Sequence, residues 1–356
     1  MTKIILRNTW FQVHKWIGLI LAILIIPLSV TGAALVWDEA LDHVLNPQRY
    51  ATSGAATIDP TRYVAAAKIV LAPGERITSM TFPEAAGAPV TVTAGKPGAA
   101  GRGGPPPRTT VWLDPPTARV LDHGNSGTGL IRTMHMIHGS LMVPGVGRQV
   151  VGWIGVAMLI SSLSGLWLWW PTVGRWVRGL RWRRHRNTDT NLHHLFGFWI
   201  AVPLFVLSLT GMWISFPQVF GGGGNGAPRG PRPVPLATPA ITVDAAIISA
   251  RAALPGTIVR IDWPTDQKRE WTIAYAGTQT NVRVDDEIAK ASVAPSERET
   301  LARIMRRIHD GTRMGIVWQA IIFLGGILPA ILAITGIIMW WRARGWRAQL
   351  KARLAA

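Results

Sequence analysis

Residues 16–37 read WIGLILAILIIPLSVTGAALVW, a run of 22 residues without a charge. A single helix of about 20 apolar residues crosses the hydrocarbon core of a bilayer, which is roughly 30 Å thick. Three further segments have the same character: Val150–Trp170, Leu195–Phe216 and Gly315–Trp341. Tryptophans lie at the ends of three of the four segments, where aromatic rings anchor helices at the membrane surface. The sequence therefore predicts an α-helical membrane protein with four transmembrane helices.

The composition and the charge agree with this class of protein. The 356 residues are 48% hydrophobic, only 16% are charged, and there is no Cys. The absence of Cys excludes disulfides, iron–sulfur clusters and covalently attached c-type haem. The formal net charge is +18. Because the basic residues flank the four spans, contact with membrane lipid explains them and binding to nucleic acid is not expected.

The distribution of basic residues predicts the orientation of the chain. The N-terminus, the segment between spans two and three and the C-terminal tail together carry 14 basic residues and one acid, Asp189. Short basic segments stay in the cytoplasm, so both termini are predicted inside and the two long segments outside. In a bacterial inner membrane those long segments are periplasmic. The first span is too long for the apolar region of a signal peptide, so we expect it to be retained.

These arguments divide the chain into eight segments. The membrane parts are the N-terminus with helix 1 (1–37), helix 2 (150–170), the basic loop (171–194), helix 3 (195–216), helix 4 (315–341) and the basic tail (342–356). The two outer parts, each ending in an amphipathic segment, are 38–149 and 217–314.

The two halves of the chain resemble each other. His14-Lys-Trp-Ile-Gly18 aligns with His193-His-Leu-Phe-Gly197, and residues 130–138 align with 301–309, so that His138 matches His309. Each half thus reads as span, outer domain, amphipathic segment, span. With two spans in each half the orientation is the same, which predicts a parallel internal duplication about an axis along the membrane normal.

The outer segments are predicted to be small α+β domains. Each has a helix, Ile58–Leu71 with Asp59 as its cap and Ile241–Leu254, followed by Pro-Gly and about three alternating strands. The predicted strands are 77–83, 90–94 and 110–114 in the first domain, and 259–264, 271–276 and 281–285 in the second. Gly/Pro-rich linkers are expected at 98–107 and 221–235. Gly221, Gly223 and Gly226 match G-x-G-x-x-G, but no βαβ unit surrounds them, so no dinucleotide site is expected.

These motifs resemble the PepSY-associated transmembrane family. The resemblance rests on His14-Lys-Trp-Ile-Gly, the Ser-x-Thr-Gly endings of spans one and three, Ile-His-Gly before span two and the Gly-x-x-x-Trp-Trp closings. The outer units resemble PepSY domains, best at 250–256 and 282–290. The resemblance implies a role in iron uptake, since some members are haem-containing inner-membrane reductases of ferric siderophores and others are described only as iron-regulated proteins or permeases.

Four of the nine histidines occupy matched positions in the two halves. His14 and His193 lie at the cytoplasmic ends of spans one and three, and His138 and His309 lie just outside spans two and four. An axis along the membrane normal relates the members of each pair, so each pair could supply both axial ligands of a b-type haem. Two haems, one near each face, are therefore predicted. Unlike histidines could pair instead, with His43, His135 or His194 as substitutes.

Other polar residues support weaker interpretations. Arg132 and Arg303 match across the repeat and could bind haem propionates or lipid phosphates. His135-x-x-His138 and His193-His194 could begin a zinc site, but a third ligand at fixed spacing is missing. His123 is predicted to lie in a turn and His185 in a solvated loop. Arg306, Arg307 and Arg313 could attract an anionic ferric chelate.

The sequence analysis gives one leading function and two alternatives. The leading hypothesis is a haem-dependent ferric (siderophore) reductase that receives electrons from an unidentified cytoplasmic or quinol donor. The first alternative is an iron or siderophore permease, against which the absence of charges in the spans argues. The second is a PepSY-type regulatory or anchoring module, which would carry no haem.

Overall fold

The computed structural model of the protein describes residues 3–98, 107–170, 176–181, 184–220, 233–278, 280–294 and 299–355. They form two compact units. The membrane unit comprises Met1–Asp38, Thr133–Gly226 and Glu299–Ala356, and the sheet unit comprises Glu39–Arg132 and Ala227–Arg298. The two predicted linkers and the glycine motif at 221–226 lie wholly or largely outside the described residues.

Among the described residues, each half of the chain has a long helix, a short helix, four strands, a short helix and a second long helix in that order, and the first half has one further short α-helix, Asp38–Leu45, after its first long helix. The helices are α1 (Lys3–Leu35), α2 (Asp38–Leu45), α3 (Pro60–Val70), α4 (Leu130–Ser140), α5 (Gly147–Trp169), α6 (Thr188–Ser215), α7 (Val243–Ala253), α8 (Leu301–Asp310) and α9 (Gly315–Ala355). The strands are β1 (Arg76–Thr81), β2 (Val90–Gly95), β3 (Arg108–Leu113), β4 (Val120–Asn125), β5 (Ile258–Asp262), β6 (Glu270–Tyr275), β7 (Asn281–Asp285) and β8 (Ala291–Ala294).

Four helices are long and apolar enough to cross a membrane: α1, α5, α6 and the Gly315–Trp346 part of α9. They coincide with the four predicted spans. Three of them extend further than predicted, since α1 begins at Lys3, α6 begins at Thr188 and α9 continues to Ala355. The extensions carry basic residues, which a helix can keep solvated beyond the apolar core.

The long helices pack as a bundle in which α1 and α6 each contact both α5 and α9. Small residues allow the closest approaches. A methyl group added at Gly326 of α9 would lie 2.7 Å from Ala33 Cβ of α1, and one added at Gly152 of α5 would lie 2.6 Å from the Phe216 ring after α6. Helices α1 and α6 therefore lie diagonally across the bundle. In this arrangement, side chains of both helices can point towards the bundle axis.

The sheet unit contains one antiparallel sheet in the order β4-β3-β2-β1-β5-β6-β7-β8. The sequence predicts two separate domains of about three strands each. The structure instead has four strands from each half, and β1 pairs with β5 through Met80↔Ile261 and the flanking residues. This pairing joins the halves because each would otherwise expose an unpaired strand edge.

Helices α3 and α7 share the buried core of this sheet. Met80, Ile261, Tyr63, Ala246 and Trp271 are all at most 1% exposed and belong to one apolar cluster. The two predicted helices are thus present, although Asp59 at the start of α3 makes no side-chain capping bond. Thr242 does cap α7, since its side chain accepts a hydrogen bond from the Ala245 amide.

Strands β4 and β8 are not among the predicted strands. His123, which the sequence places in a turn, lies in β4 and pairs with Val111. The prediction was wrong because Asp122-His-Gly-Asn has turn composition, and its strand conformation is imposed by pairing with β3. Arg49 also holds this strand, through an ion pair of 2.6 Å between its Nε and Asp122 Oδ2.

Asp114 links the segment that precedes α3 to the end of β3 through hydrogen bonds. Its carboxylate is 1% exposed and accepts hydrogen bonds from the Ser53 amide, the Ser53 hydroxyl and the Thr117 hydroxyl. Burial by itself would raise the pKa of Asp114, but these hydrogen bonds and the charge of Arg119 hold the pKa below its ordinary value.

We expect Asp114→Ala to destabilise the protein, because three hydrogen bonds to this buried carboxylate are lost and each contributes about 0.5–1.5 kcal/mol. The folded-state pKa of Asp114 is depressed, so its contribution is present above the unfolded value of about 3.9 and is lost as the pH falls through the folded value. Thermal unfolding of the full chain in detergent measures both effects. Asp262→Ala is the matched control, since this half-exposed carboxylate pairs only with Arg260 two residues away and should change little.

Candidate functional site: two histidine pairs in the membrane unit

His14 of α1 and His193 of α6 face each other across the bundle. Their ring centroids are 6.4 Å apart and the ring planes are nearly perpendicular, at 87°. A metal bound by two imidazole nitrogens at about 2 Å on opposite sides places the ring centroids about 6 Å apart. The spacing of this inner pair is therefore that of two axial ligands on one metal ion.

His138 of α4 and His309 of α8 form an outer pair with the same spacing. Their ring centroids are 6.0 Å apart, and the ring planes are inclined at 36°. The structure thus brings together the like histidines of the two halves. The geometry therefore favours pairs of like histidines over pairs of unlike histidines.

Each of the four rings rests on a facing helix in the same way. The ring Nδ1 lies within hydrogen-bond distance of a backbone carbonyl or a side-chain hydroxyl of that helix. The carbonyl comes one turn, and the hydroxyl one residue, before a glycine. We call these four places the histidine seats. They are Ser161/Ser164/Gly165 for His14, Leu28/Gly32 for His138, Leu332/Thr335/Gly336 for His193 and Leu207/Thr210/Gly211 for His309.

The hydrogen bonds of the seats fix the tautomer of the rings. Thr335 Oγ1 lies 2.9 Å from His193 Nδ1 and donates its own hydrogen to the Ile331 carbonyl at 2.9 Å. The hydroxyl can then only accept from His193, so Nδ1 carries the proton and Nε2 keeps a free lone pair. His138 Nδ1 likewise donates to the Leu28 carbonyl at 2.9 Å. Metal-binding histidines are commonly oriented by such a bond from the second ring nitrogen.

The glycines of the seats provide the room for the rings. A methyl group added at Gly32 would lie 2.5 Å from His138 Cε1, and one at Gly165 or Gly211 would lie 3.0 Å from the Cε1 of His14 or His309. The distance at Gly32 is too short for a real contact, so a larger residue there must displace the ring, whereas at Gly165 and Gly211 the ring must shift by a few tenths of an ångström. A methyl group at Gly336 would lie 3.6 Å from His193 Cε1, which is an ordinary contact. The Ser-x-Thr-Gly endings of spans one and three, which carry part of the family resemblance, thus include the glycines on which the outer rings lie.

The two pairs lie near opposite ends of the bundle. On α1, His14 and Gly32 of the outer seat are 18 residues apart, and on α6 His193 and Gly211 have the same separation. At 1.5 Å per residue this corresponds to about 27 Å along the helix axis. The spacing is comparable with the roughly 30 Å thickness of a bilayer core, so one pair lies toward each face.

The surroundings of the outer pair favour the neutral form of both rings. Burial lowers the pKa of His138 and of His309, and it outweighs the hydrogen bonds to the Leu28 and Leu207 carbonyls, which act in the opposite direction. Burial also raises the pKa of Asp310, the residue after His309, although Arg306 and His135 act in the opposite direction. Neutral imidazole is the form that binds a metal, so the surroundings favour ligation.

Several sequence-predicted residues lie elsewhere. His43 belongs to the sheet unit and packs on Tyr50, with ring centroids 4.5 Å apart. His194 stacks on His185 at 4.6 Å. Arg132 and Arg303 are each six residues before the outer histidines, which places them about 120° around the helix from those rings. His135 and Arg306, one turn before them, are closer to their face.

Basic residues at the predicted cytoplasmic end have a role that the charge count did not reveal. Arg7 Nη2 donates to the carbonyl of Leu168 at 2.6 Å, and Arg184 Nη1 donates to that of Trp169 at 3.1 Å. These carbonyls are at the C-terminus of α5, where cations are favourable. Arg342 pairs with Asp189 at 2.7 Å and ties α9 to α6. Such long-range contacts leave no local signal in a sequence.

A conventional metal site of three or more side chains does not occur among the described His, Cys, Asp and Glu residues, so the zinc interpretation gains no support. Two imidazoles with ring centroids 6.0–6.4 Å apart suit a metal whose remaining positions are filled by a planar macrocycle. The ring spacing, the free Nε2 atoms and the glycine seats therefore fit haem, with His14 and His193 at one site and His138 and His309 at the other.

The fold and the four spans define a multi-pass helical membrane protein that carries a β-sheet unit. The chain belongs to the family described as the PepSY-associated TM region, whose model matches residues 11–343. This confirms the family predicted from the motifs. A comparison with curated proteins gives no match.

Proposed function

We propose that this protein is a b-type haem protein of the bacterial inner membrane that passes electrons outward to reduce ferric iron bound in a chelate. The single observation that supports this best is the pair of matched histidine sites, each with ring centroids about 6 Å apart, near the two ends of the bundle. Haem with both axial positions filled supplies one-electron transfer and leaves no open position for oxygen.

Different residues of the chain have different roles in this electron transfer. The four seats orient the histidines, and their lone pairs at Nε2 are the ligands. The apolar helices α1, α5, α6 and α9 exclude water and ions between the two sites. Each electron taken up at the inner site converts one Fe(III) to Fe(II) outside, which weakens its chelate. An electron donor is required, and we infer a cytoplasmic reductase or a quinol.

We further infer the orientation and the origin of the chain. The basic ends of α1, α6 and α9 are cytoplasmic, and the sheet unit is periplasmic. The repeated order of elements and the four equivalent seats support a parallel internal duplication. A siderophore complex is the preferred substrate, because the family resemblance implies iron uptake.

Vesicles containing the purified protein test this function. A membrane-impermeant reductant is enclosed, a ferric chelate is added outside, and external Fe(II) is followed with a ferrous indicator. We expect Fe(II) to appear outside only in vesicles that contain haem-loaded protein, and His193→Ala to abolish it. Uptake of unreduced iron would instead support the permease, and a haem-free protein without either activity would support the regulatory module.

The basic residues around α8 should attract an anionic chelate. Arg306 and Arg313 are exposed at this end of the membrane unit. We expect Arg306→Glu combined with Arg313→Glu to slow reduction of an anionic ferric chelate several-fold at low salt, and the difference to fade at high salt because exposed charges are screened. The control is Arg344→Glu near the other end of α9, which should leave the rate and its salt dependence unchanged.

A further inference from the structure

The two histidine pairs have the same ring spacing but differ in the angle between their ring planes. The inner rings cross at 87°, whereas the outer rings are inclined at only 36°. We propose that the histidine seats impose this difference and so give the two metal centres distinct electronic structures, crossed ligand planes inside and nearly aligned planes outside. The proposal rests on the proposed function, since it concerns the groups that the two pairs would hold.

The angle matters because of how an imidazole interacts with iron. The filled π orbital of each ring raises the energy of the iron d orbital that lies perpendicular to the ring plane. Two aligned rings act on the same d orbital and separate it from its partner. Two crossed rings act on one orbital each, so the pair stays nearly equal in energy. Axial ligation is one of the ways in which a protein tunes the electronic structure of a haem. Here the variable is the rotation of each ring about its bond to the iron.

The seats explain why the rings do not turn freely. His193 is bonded to the Thr335 hydroxyl at 2.9 Å, and His14 is bonded to both the Ser161 carbonyl and the Ser164 hydroxyl at 3.1 Å. Rotation of either ring about its metal bond would break these bonds. Thr335 and Ser164 are therefore positioning residues of the inner pair.

The outer seats differ by one hydrogen bond. His138 Nδ1 bonds the Leu28 carbonyl at 2.9 Å, and His309 bonds the matching Leu207 carbonyl and, in addition, the Thr210 hydroxyl at 3.0 Å. The threonine that matches Thr210 is Thr31, and its hydroxyl donates to the Pro27 carbonyl at 2.6 Å instead. Thr210 is thus a positioning residue of the outer pair, and Thr31 offers a matched threonine that has no bond to the ring of His138.

Electron paramagnetic resonance of the oxidised, detergent-purified protein at low temperature tests the proposal. We expect two low-spin ferric signals in equal amounts: a strongly anisotropic one from the inner pair and a rhombic one from the outer pair. Thr335→Val should shift the anisotropic signal alone, and Thr210→Val should shift the rhombic signal alone. Thr31→Val should shift neither.

The outcomes separate this inference from the proposed function. Two haems per chain with one common signal would overturn the inference and leave the function standing. The same holds if Thr335→Val moved the rhombic signal, or if Thr31→Val acted as strongly as Thr210→Val. A protein without any haem signal would overturn both. Because each valine variant keeps all four histidines, haem content per chain shows that the sites remain loaded.

Discussion

His138→Ala should lower the haem content of the purified protein from two per chain to one. The outer pair would lose one of its two imidazoles, and His309 alone leaves a haem iron with an unfilled axial position in a site shaped for two ligands. The inner pair lies about 27 Å away along the bundle, so its haem should remain with an unchanged spectrum. Pyridine extraction of the purified variant gives the count.

The matched control for this variant is His135→Ala. His135 lies on the same helix, one turn before His138, and is exposed. The same substitution there should leave two haems. A His138→Ala protein that is folded and still contains two low-spin haems would contradict the assignment of the outer ligands.

Gly32→Ala should have nearly as large an effect as loss of the histidine itself. The added methyl group would lie 2.5 Å from His138 Cε1, so the ring must leave its seat and its bond to the Leu28 carbonyl. Overpacking of this kind costs about 1–3 kcal/mol, and here it acts directly on a ligand. We expect loss of the outer haem, or its conversion to a weakly bound high-spin form, which the absorption spectrum reports.

Gly18→Ala on the same helix is the control for that substitution. A methyl group at Gly18 meets nothing within 4 Å, and alanine is favoured over glycine inside a helix by about 0.5–1 kcal/mol. This variant should keep both haems and be at least as stable as the original protein. If Gly32→Ala behaved in the same way as Gly18→Ala, the outer seat would not orient His138.

The sequence predicted the four spans and most of the sheet because both depend on local patterns. Uncharged runs predicted the apolar ends of α1, α5, α6 and α9 to within a few residues, and the alternation of apolar and polar residues predicted six strands. It could not reveal β4 and β8, whose conformation depends on a neighbouring strand. Nor could it reveal the β1–β5 pairing, because Met80 and Ile261 are far apart in the chain.

The candidate site was likewise predicted only in part. The matched positions of the histidines in the two halves predicted the two pairs, which the structure brings together at ring distance. The seats were missed because each one joins two helices: the bond between His14 and Ser164 crosses 150 residues. The signal was present in the sequence as Ser/Thr-Gly at four matched places, but the sequence does not show that a histidine ring lies against each of them. Arg132 and Arg303 also match across the repeat, and their binding of haem propionates or lipid phosphates stays a prediction.

The most direct test of the account is the reduced-minus-oxidised absorption spectrum of the detergent-purified protein, with haem counted per chain by pyridine extraction. The account predicts two b-type haems per chain, with the bands of low-spin iron bound by two imidazoles. A colourless protein purified from haem-replete cells would contradict it and would leave the four histidines without a metal to bind.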